Sequence, residues 1–181
     1  ATAYIDELND LLRTFLEEAG FEVLAAFFNE DTGLRILESH GGADIVTATN
    51  VFAHVDDIRS FAKGIEALLA DDGLVIIEVP SLRDMIEQLY FDTIYHEHVS
   101  YHTVGPLVDF FQRLGMQLVD AQRVSHQGGS LRCTVQLAGG PWSVEPSVQQ
   151  LISLESQELG TDLPKAFRKF GERIDVERHR L

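Results

Sequence analysis

Apolar residues recur along this chain at two spacings, and the switches between them divide it into short alternating elements. Leu8, Leu11, Leu12, Phe15 and Leu16 share one face of a helical repeat, with Asp6, Glu7, Glu17 and Glu18 on the other positions. This predicts an amphipathic helix stopped by Gly20. A short strand is predicted over 21–28, a helix over 30–40 closed by Gly41-Gly42, and a buried strand rich in Ile, Val and Thr over 44–49. Asp56 and Asp57 are placed to cap a helix running to Leu69. After the breaker Asp71-Asp72-Gly73, the run 74–79 reads as a strand apolar on both faces, stopped by Pro80, which belongs inside a sheet.

The second half continues the alternation. A helix is predicted over 81–89, then a loop rich in histidine and aromatics to Thr103, then an amphipathic helix over 104–114 ended by Gly115. Strands over 117–124 and 131–137 flank His126-Gln127-Gly128-Gly129, a connection of hairpin size, so the two should pair antiparallel. Polar helices are predicted over 148–159 and 163–178. Helix and strand in this order predict an α/β fold, mostly parallel with right-handed crossovers and a C-terminal antiparallel hairpin. Two parts are expected: an α/β domain over 1–140 and a helical extension over 141–181. In an open α/β sheet ligands sit beyond the carboxyl ends of the strands, so the residues just after each strand matter most.

Composition narrows the function. At 181 residues the chain can bury a real core, and its formal charge of -15, with no run of Lys and Arg, argues against a nucleic-acid partner. The single cysteine, Cys133, excludes an internal disulfide and a zinc site built on cysteines. No basic start followed by an apolar stretch and no run long enough to span a bilayer are present, so a cytoplasmic address without membrane attachment is expected.

The densest candidate chemistry is Phe91-Asp92-Thr93-Ile94-Tyr95-His96-Glu97-His98-Val99-Ser100-Tyr101-His102. A histidine beside a glutamate can act as general base, because the carboxylate fixes the tautomer, and a nearby tyrosine can stabilise an oxyanion. His98 is the candidate base. A metal site competes, since His98 and His102 are four apart, but the His-Glu-x-x-His order of zinc helices is absent and Gly105-Pro106 discourages a regular helix, so no metal is expected. A structural loop, its side chains bonded to backbone, is the other alternative. Thr49-Asn50-Val51-Phe52-Ala53-His54 follows a central strand, where Asn50 could hold a ligand or form a turn. Phe27-Phe28 could flank a flat ring or fill the core. The glycines of Ser125-His126-Gln127-Gly128-Gly129-Ser130 could admit a substrate or serve the turn.

Five segments in this order, Ala25-Ala26-Phe27-Phe28, Ala43-Asp44-Ile45-Val46 leading to Asn50-Val51-Phe52-Ala53-His54, Glu78-Val79-Pro80, the Tyr95-His96-Glu97-His98 run, and His126-Gln127-Gly128-Gly129-Ser130-Leu131-Arg132, together resemble the S-adenosylmethionine-dependent sugar C-methyltransferase family. The resemblance implies a Rossmann-like class I methyltransferase sheet with its N-terminal strands missing, since only one helix is predicted before Phe21. It implies S-adenosylmethionine as cofactor and a nucleotide-linked keto-deoxysugar as substrate. His98 would remove a proton beside the ketone, with Glu97 and Tyr95 orienting it or stabilising the enolate. Phe28 would border the adenine, and Asn50, Phe52 and His54 would lie at the methionine end. His96, His126, Gly128 and Ser130 would contact the sugar. A sheet edge left open by missing strands is expected to be covered, for example by a second copy. The alternative is a methyltransferase-derived binding or assembly protein without turnover. A dinucleotide-dependent oxidoreductase is disfavoured because no Gly-x-Gly-x-x-Gly follows a strand.

Overall fold

The computed structural model describes residues 2–4, 10–160 and 162–180. In chain order it contains β1 (Thr2–Tyr4), α1 (Asp10–Glu18), β2 (Glu22–Leu24), α2 (Glu30–His40), β3 (Ala43–Thr49), α3 (Ile58–Leu68) and β4 (Leu69–Pro80). These are followed by α4 (Leu82–Gln88), α5 (Val104–Gln112), β5 (Met116–Val124), β6 (Ser130–Leu137), α6 (Pro146–Leu159) and α7 (Leu163–Arg178). Asp6, Glu7 and Leu8 of the predicted first helix lie outside the described residues.

The helices begin where short polar side chains can satisfy their first amides. Asn29 Oδ1 accepts from Thr32 N at 2.9 Å to start α2, and Asp57 Oδ1 accepts from Ser60 N at 2.9 Å to start α3. Of the two predicted capping aspartates, Asp57 takes the role. The two helices then cross at bare backbone: a Cβ on Gly33 would lie 2.3 Å from the Gly64 carbonyl oxygen. Glycine inside a helix costs roughly 1 kcal/mol of propensity, and here it permits a contact no other residue allows.

Four strands form one sheet in the order β3-β4-β6-β5. β3 and β4 are parallel, joined through α3, while β4–β6 and β6–β5 are antiparallel, as the glycine-rich connection predicts. The alternating elements therefore yield the expected α/β architecture with its antiparallel hairpin at the C-terminal end, but this sheet is mixed rather than mostly parallel, since only β3 and β4 pair in parallel. Two details depart from expectation. A strand, Thr2–Tyr4, precedes the first helix and pairs parallel with β2 in a small sheet of its own, so the segment before Phe21 holds more than a helix. β2 is correspondingly short, Glu22–Leu24, because three residues of β1 are all it pairs with. The breaker Asp71-Asp72-Gly73 does not end an element either. It falls within β4, where the register to β3 jumps from Ala43↔Leu69 to Ile45↔Leu74.

One face of the sheet carries the core. Ala48 of β3, Val75, Ile77 and Val79 of β4, Leu131, Cys133 and Val135 of β6, and Met116, Leu118 and Ala121 of β5 meet Phe61, Ala62 and Ile65 of α3 and Leu107 and Phe111 of α5. Burial pushes the Cys133 thiol up to about 12, so this residue acts as a small apolar side chain. Val148 of α6 belongs to the same core, and Leu82, Met85 and Ile86 of α4 form a second cluster with Phe170 of α7. Of the helices after residue 140, α6 thus packs on the sheet and α7 on α4. The opposite face is more open: Ile45 is 66% exposed, and Thr47 and Thr49 beyond it are exposed as well. The far edge of β3 pairs with no strand among the described residues. No helix among the described residues is long and apolar enough to cross a membrane.

Candidate functional site

The carboxyl end of β3 is where the chain leaves regular structure in a costly conformation. Asn50 has φ 56°, the left-handed region that asparagine tolerates better than other side chains, and its N–H donates to the Glu78 carbonyl at 2.9 Å. Its side-chain Oδ1 is buried without a hydrogen-bond partner. A buried acceptor left open costs on the order of 1–3 kcal/mol, which makes it a natural place for a ligand's N–H or O–H. The turn Phe52–His54 follows.

Two backbone bonds dock the histidine-rich segment onto that turn: Val99 N and Ser100 N both donate to the Ala53 carbonyl, at 3.1 and 3.3 Å. Residues some 45 positions apart are thereby brought together. The His54 and His98 rings meet edge to face with centroids 4.8 Å apart, and the Tyr95 ring lies 4.3 Å from that of His98.

His98 is oriented by backbone. Its Nδ1 lies 2.8 Å from the Thr93 carbonyl oxygen. A carbonyl only accepts, so the neutral ring carries its proton on Nδ1 and presents the lone pair of Nε2. The Tyr95 hydroxyl stands 3.2 Å from Nε2 and can donate to it. Tyr101 completes the surroundings: its hydroxyl donates to the same Thr93 carbonyl at 3.4 Å, and burial, then the nearby Tyr95, raises its pKa above the ordinary tyrosine value. This arrangement supplies a half-buried base beside a phenolic donor.

The orienting role expected of Glu97 falls to Thr93 instead. The Glu97 carboxylate points to solvent and lies 3.8 Å from the imidazole of His96, itself 89% exposed. Neighbouring side chains in this irregular segment diverge, so adjacency in sequence does not bring Glu97 to His98. His102 does not join His98 in a metal site: it is buried against Phe52, bonded through Nε2 to the Ser100 hydroxyl at 2.9 Å, and burial lowers its pKa to about 4. Among the described residues no cluster of metal-ligating side chains occurs.

Other expected residues divide between site and scaffold. Phe52 is fully buried and packs on Phe61, Phe110 and Phe111, so its ring belongs to the core and supports the turn from beneath. Phe28 is half-buried, edge-on to Phe61 at 5.1 Å. Ser130 is fully buried and donates to the His126 carbonyl at 3.2 Å, and a Cβ on Gly128 (φ 84°) would lie 2.7 Å from the Tyr90 ring, so these two residues serve the turn. His126 stays accessible.

Three residues without an assigned role stand beside it. On the open face of the sheet, register places Thr49, Glu78 and Arg132 in one cross-strand row. Arg132 donates from Nε and Nη2 to Glu78 Oε2 at 3.0 and 2.9 Å, and His126 Nδ1 lies 3.4 Å from Glu78 Oε1. With Ile76 they line a cavity of about 460 Å³. The sequence signal for this group is Glu78, the one charge within the otherwise apolar run 74–79.

Residues 25–121 match the family model described as a methyltransferase domain. The chain is 35% identical over 153 residues to the C-methyltransferase NovU of Streptomyces niveus, covering 84% of this chain and 36% of that protein. It therefore spans about a third of the length of this relative. Among solved structures, the fold resembles that of the 1,6-didemethyltoxoflavin-N1-methyltransferase of Burkholderia thailandensis with bound 1,6-didemethyltoxoflavin and S-adenosylhomocysteine (TM-score 0.53, 20% identity, 76% of this chain and 60% of that one). It also resembles an S-adenosylmethionine-dependent methyltransferase of Clostridium acetobutylicum (TM-score 0.55, 11% identity, 76% and 75% covered).

Proposed function

The chain belongs to the methyltransferase domain family, and from that premise we propose that it carries the catalytic part of an S-adenosylmethionine-dependent C-methyltransferase acting on a nucleotide-linked keto-deoxysugar. The observation that carries this reading is the base: a histidine whose tautomer is held by the Thr93 carbonyl, so that its Nε2 is unprotonated and accepts from a tyrosine hydroxyl 3.2 Å away. Methylation of carbon needs such a group, because a C–H beside a ketone must lose its proton before the carbon can attack. The similarity to a named C-methyltransferase supports the same chemistry.

The residues present fit the cofactor at one end. Asn50 offers a buried acceptor without a partner, suited to an ammonium or hydroxyl; His54 would lie alongside, and the half-buried Phe28 would border the adenine. When bound, S-adenosylmethionine supplies an electrophilic methyl group on a sulfonium.

On the protein's side, His98 Nε2 takes the proton, and the imidazolium that forms keeps its Nδ1–H bond to Thr93. The Tyr95 hydroxyl, released from Nε2 as that atom is protonated, donates to the enolate oxygen, where negative charge develops. His96 and His126, both accessible, would contact the sugar, with Gly128 and Ser130 shaping the turn that holds His126. Glu97, paired with His96, tunes the charge at the rim. The unpaired edge of β3 fits coverage by a second copy, which light scattering checks: a dimer supports it and a monomer removes it.

Calorimetric titration with S-adenosylmethionine and S-adenosylhomocysteine tests the central reading, with micromolar binding expected. No binding at millimolar cofactor overturns it in favour of a methyltransferase-derived scaffold that works through a partner.

A further inference from the structure

The first turn of α5 is capped from another element. Thr103 stands at its N-cap, a residue type that usually accepts from a helix's first amides, yet its hydroxyl makes no such bond. Glu155 of α6 takes that place: its Oε2 accepts from Val104 N at 2.9 Å, across 51 residues of sequence. Val104 is fully buried and Glu155 is 6% exposed, so the bond is made in the interior. The other carboxyl oxygen, Oε1, is buried without a hydrogen-bond partner among the described residues. Burying a carboxyl costs free energy that a threonine cap avoids. Burial raises the pKa of Glu155 above the ordinary carboxyl value, against the Val104 amide and the Arg83 guanidinium of α4, which lower it.

This cap secures the end of the histidine-rich segment. Only Val99 to Thr103 separate His98 from α5. Within that stretch Val99 N and Ser100 N donate to the Ala53 carbonyl, Leu82 N donates to the His102 carbonyl, and the Ser100 hydroxyl meets His102 Nε2. Tyr101, in the same stretch, donates to the Thr93 carbonyl that also holds His98 Nδ1. So short a tether passes a displacement of the first turn of α5 on to Tyr101 and to the carbonyl that orients the base. We propose that Glu155 is a positioning residue for His98: by fixing the first turn of α5 it holds the 99–103 stretch, Tyr101 included, where the Thr93 carbonyl stays on His98 Nδ1. The helical region after residue 140 thereby contributes to the site through α5. The effect on the ring stands on this geometry alone, whereas its consequence for methyl transfer rests on the function proposed above.

NMR of the histidine ring nitrogens in the ligand-free chain tests this, at a pH above the imidazole range, because their shifts report which nitrogen carries the proton. Glu155→Leu removes the acceptor and Glu155→Gln keeps one, while Val148→Ala takes core volume from the same helix and leaves the bond intact. The expected result is a His98 ring held as the Nδ1–H tautomer in the native chain, in Glu155→Gln and in Val148→Ala, with both tautomers populated in Glu155→Leu. Turnover should follow the ring: Glu155→Leu lowers kcat for methyl transfer about tenfold with KM for S-adenosylmethionine unchanged, and Glu155→Gln restores it. Where the leucine variant does not fold, Glu155→Asp, one methylene short of the Val104 amide, gives the same comparison. An unchanged ring in the variants without the bond, or the same change in Val148→Ala or Glu155→Gln, overturns the proposal. A ring that responds as expected in a chain that transfers no methyl group upholds the positioning and counts against the methyltransferase reading alone.

Discussion

His98 and His102 stand four residues apart in one irregular segment and finish in opposite environments. His98 is half-buried, its Nδ1–H tied to a carbonyl and its Nε2 facing a phenol. His102 is buried on the Phe52 ring, and its carbonyl accepts from Leu82 N at 3.1 Å, anchoring the segment to α4. One end of the segment presents a base and the other holds it in place. The side chain is the same; solvent access and the partner of each nitrogen separate the roles.

The sharpest test of that division is His98→Ala. Methyl transfer should fall by a factor of about 10² to 10⁴, the range for losing a general base, while S-adenosylmethionine affinity holds in calorimetry. A parallel loss of affinity would break the comparison by making His98 a binding residue. At the anchoring end, Phe52→Ala should cost about 3–5 kcal/mol in urea unfolding, because the ring is fully buried among Phe61, Phe110, Phe111 and His102.

The pH dependence of stability sharpens the same contrast. His102 has a pKa lowered from 6.5 to about 4, so between those values the unfolded chain binds a proton that the native state refuses. Stability from this residue is complete above about pH 6.5 and is lost as pH falls towards 4, by up to about 3 kcal/mol. Urea midpoints measured across that range should flatten in His102→Gln. The smallest effect belongs to Glu97→Gln: with the carboxylate 58% exposed and paired to His96, turnover should change by less than about threefold, since exposed pairs contribute little.

Much of the fold is legible in the sequence because periodicity and punctuation agree. The stretch from Glu30 to Pro80 reads as helix, strand, helix, strand from its apolar spacing and from Asp57 and Gly41, and the glycines after His126 announce the hairpin. β1 is not legible, because three residues are too few for an alternating pattern to show. The site is legible as residue types and illegible as contacts. Tyr95 and His98 are visible in the sequence, yet the group that orients His98 is the Thr93 carbonyl, which has no side-chain signature, and the docking partner is the carbonyl of Ala53. The row Thr49, Glu78, Arg132 depends on strand register, which only long-range pairing determines.

The most direct measurement of the central claim is deuterium uptake from heavy water at the carbon beside the ketone of a nucleotide-linked keto-deoxysugar, in the presence of S-adenosylhomocysteine. Proton removal by His98 predicts exchange with the native protein and its loss in His98→Ala. Exchange that proceeds equally well without His98 would contradict the account.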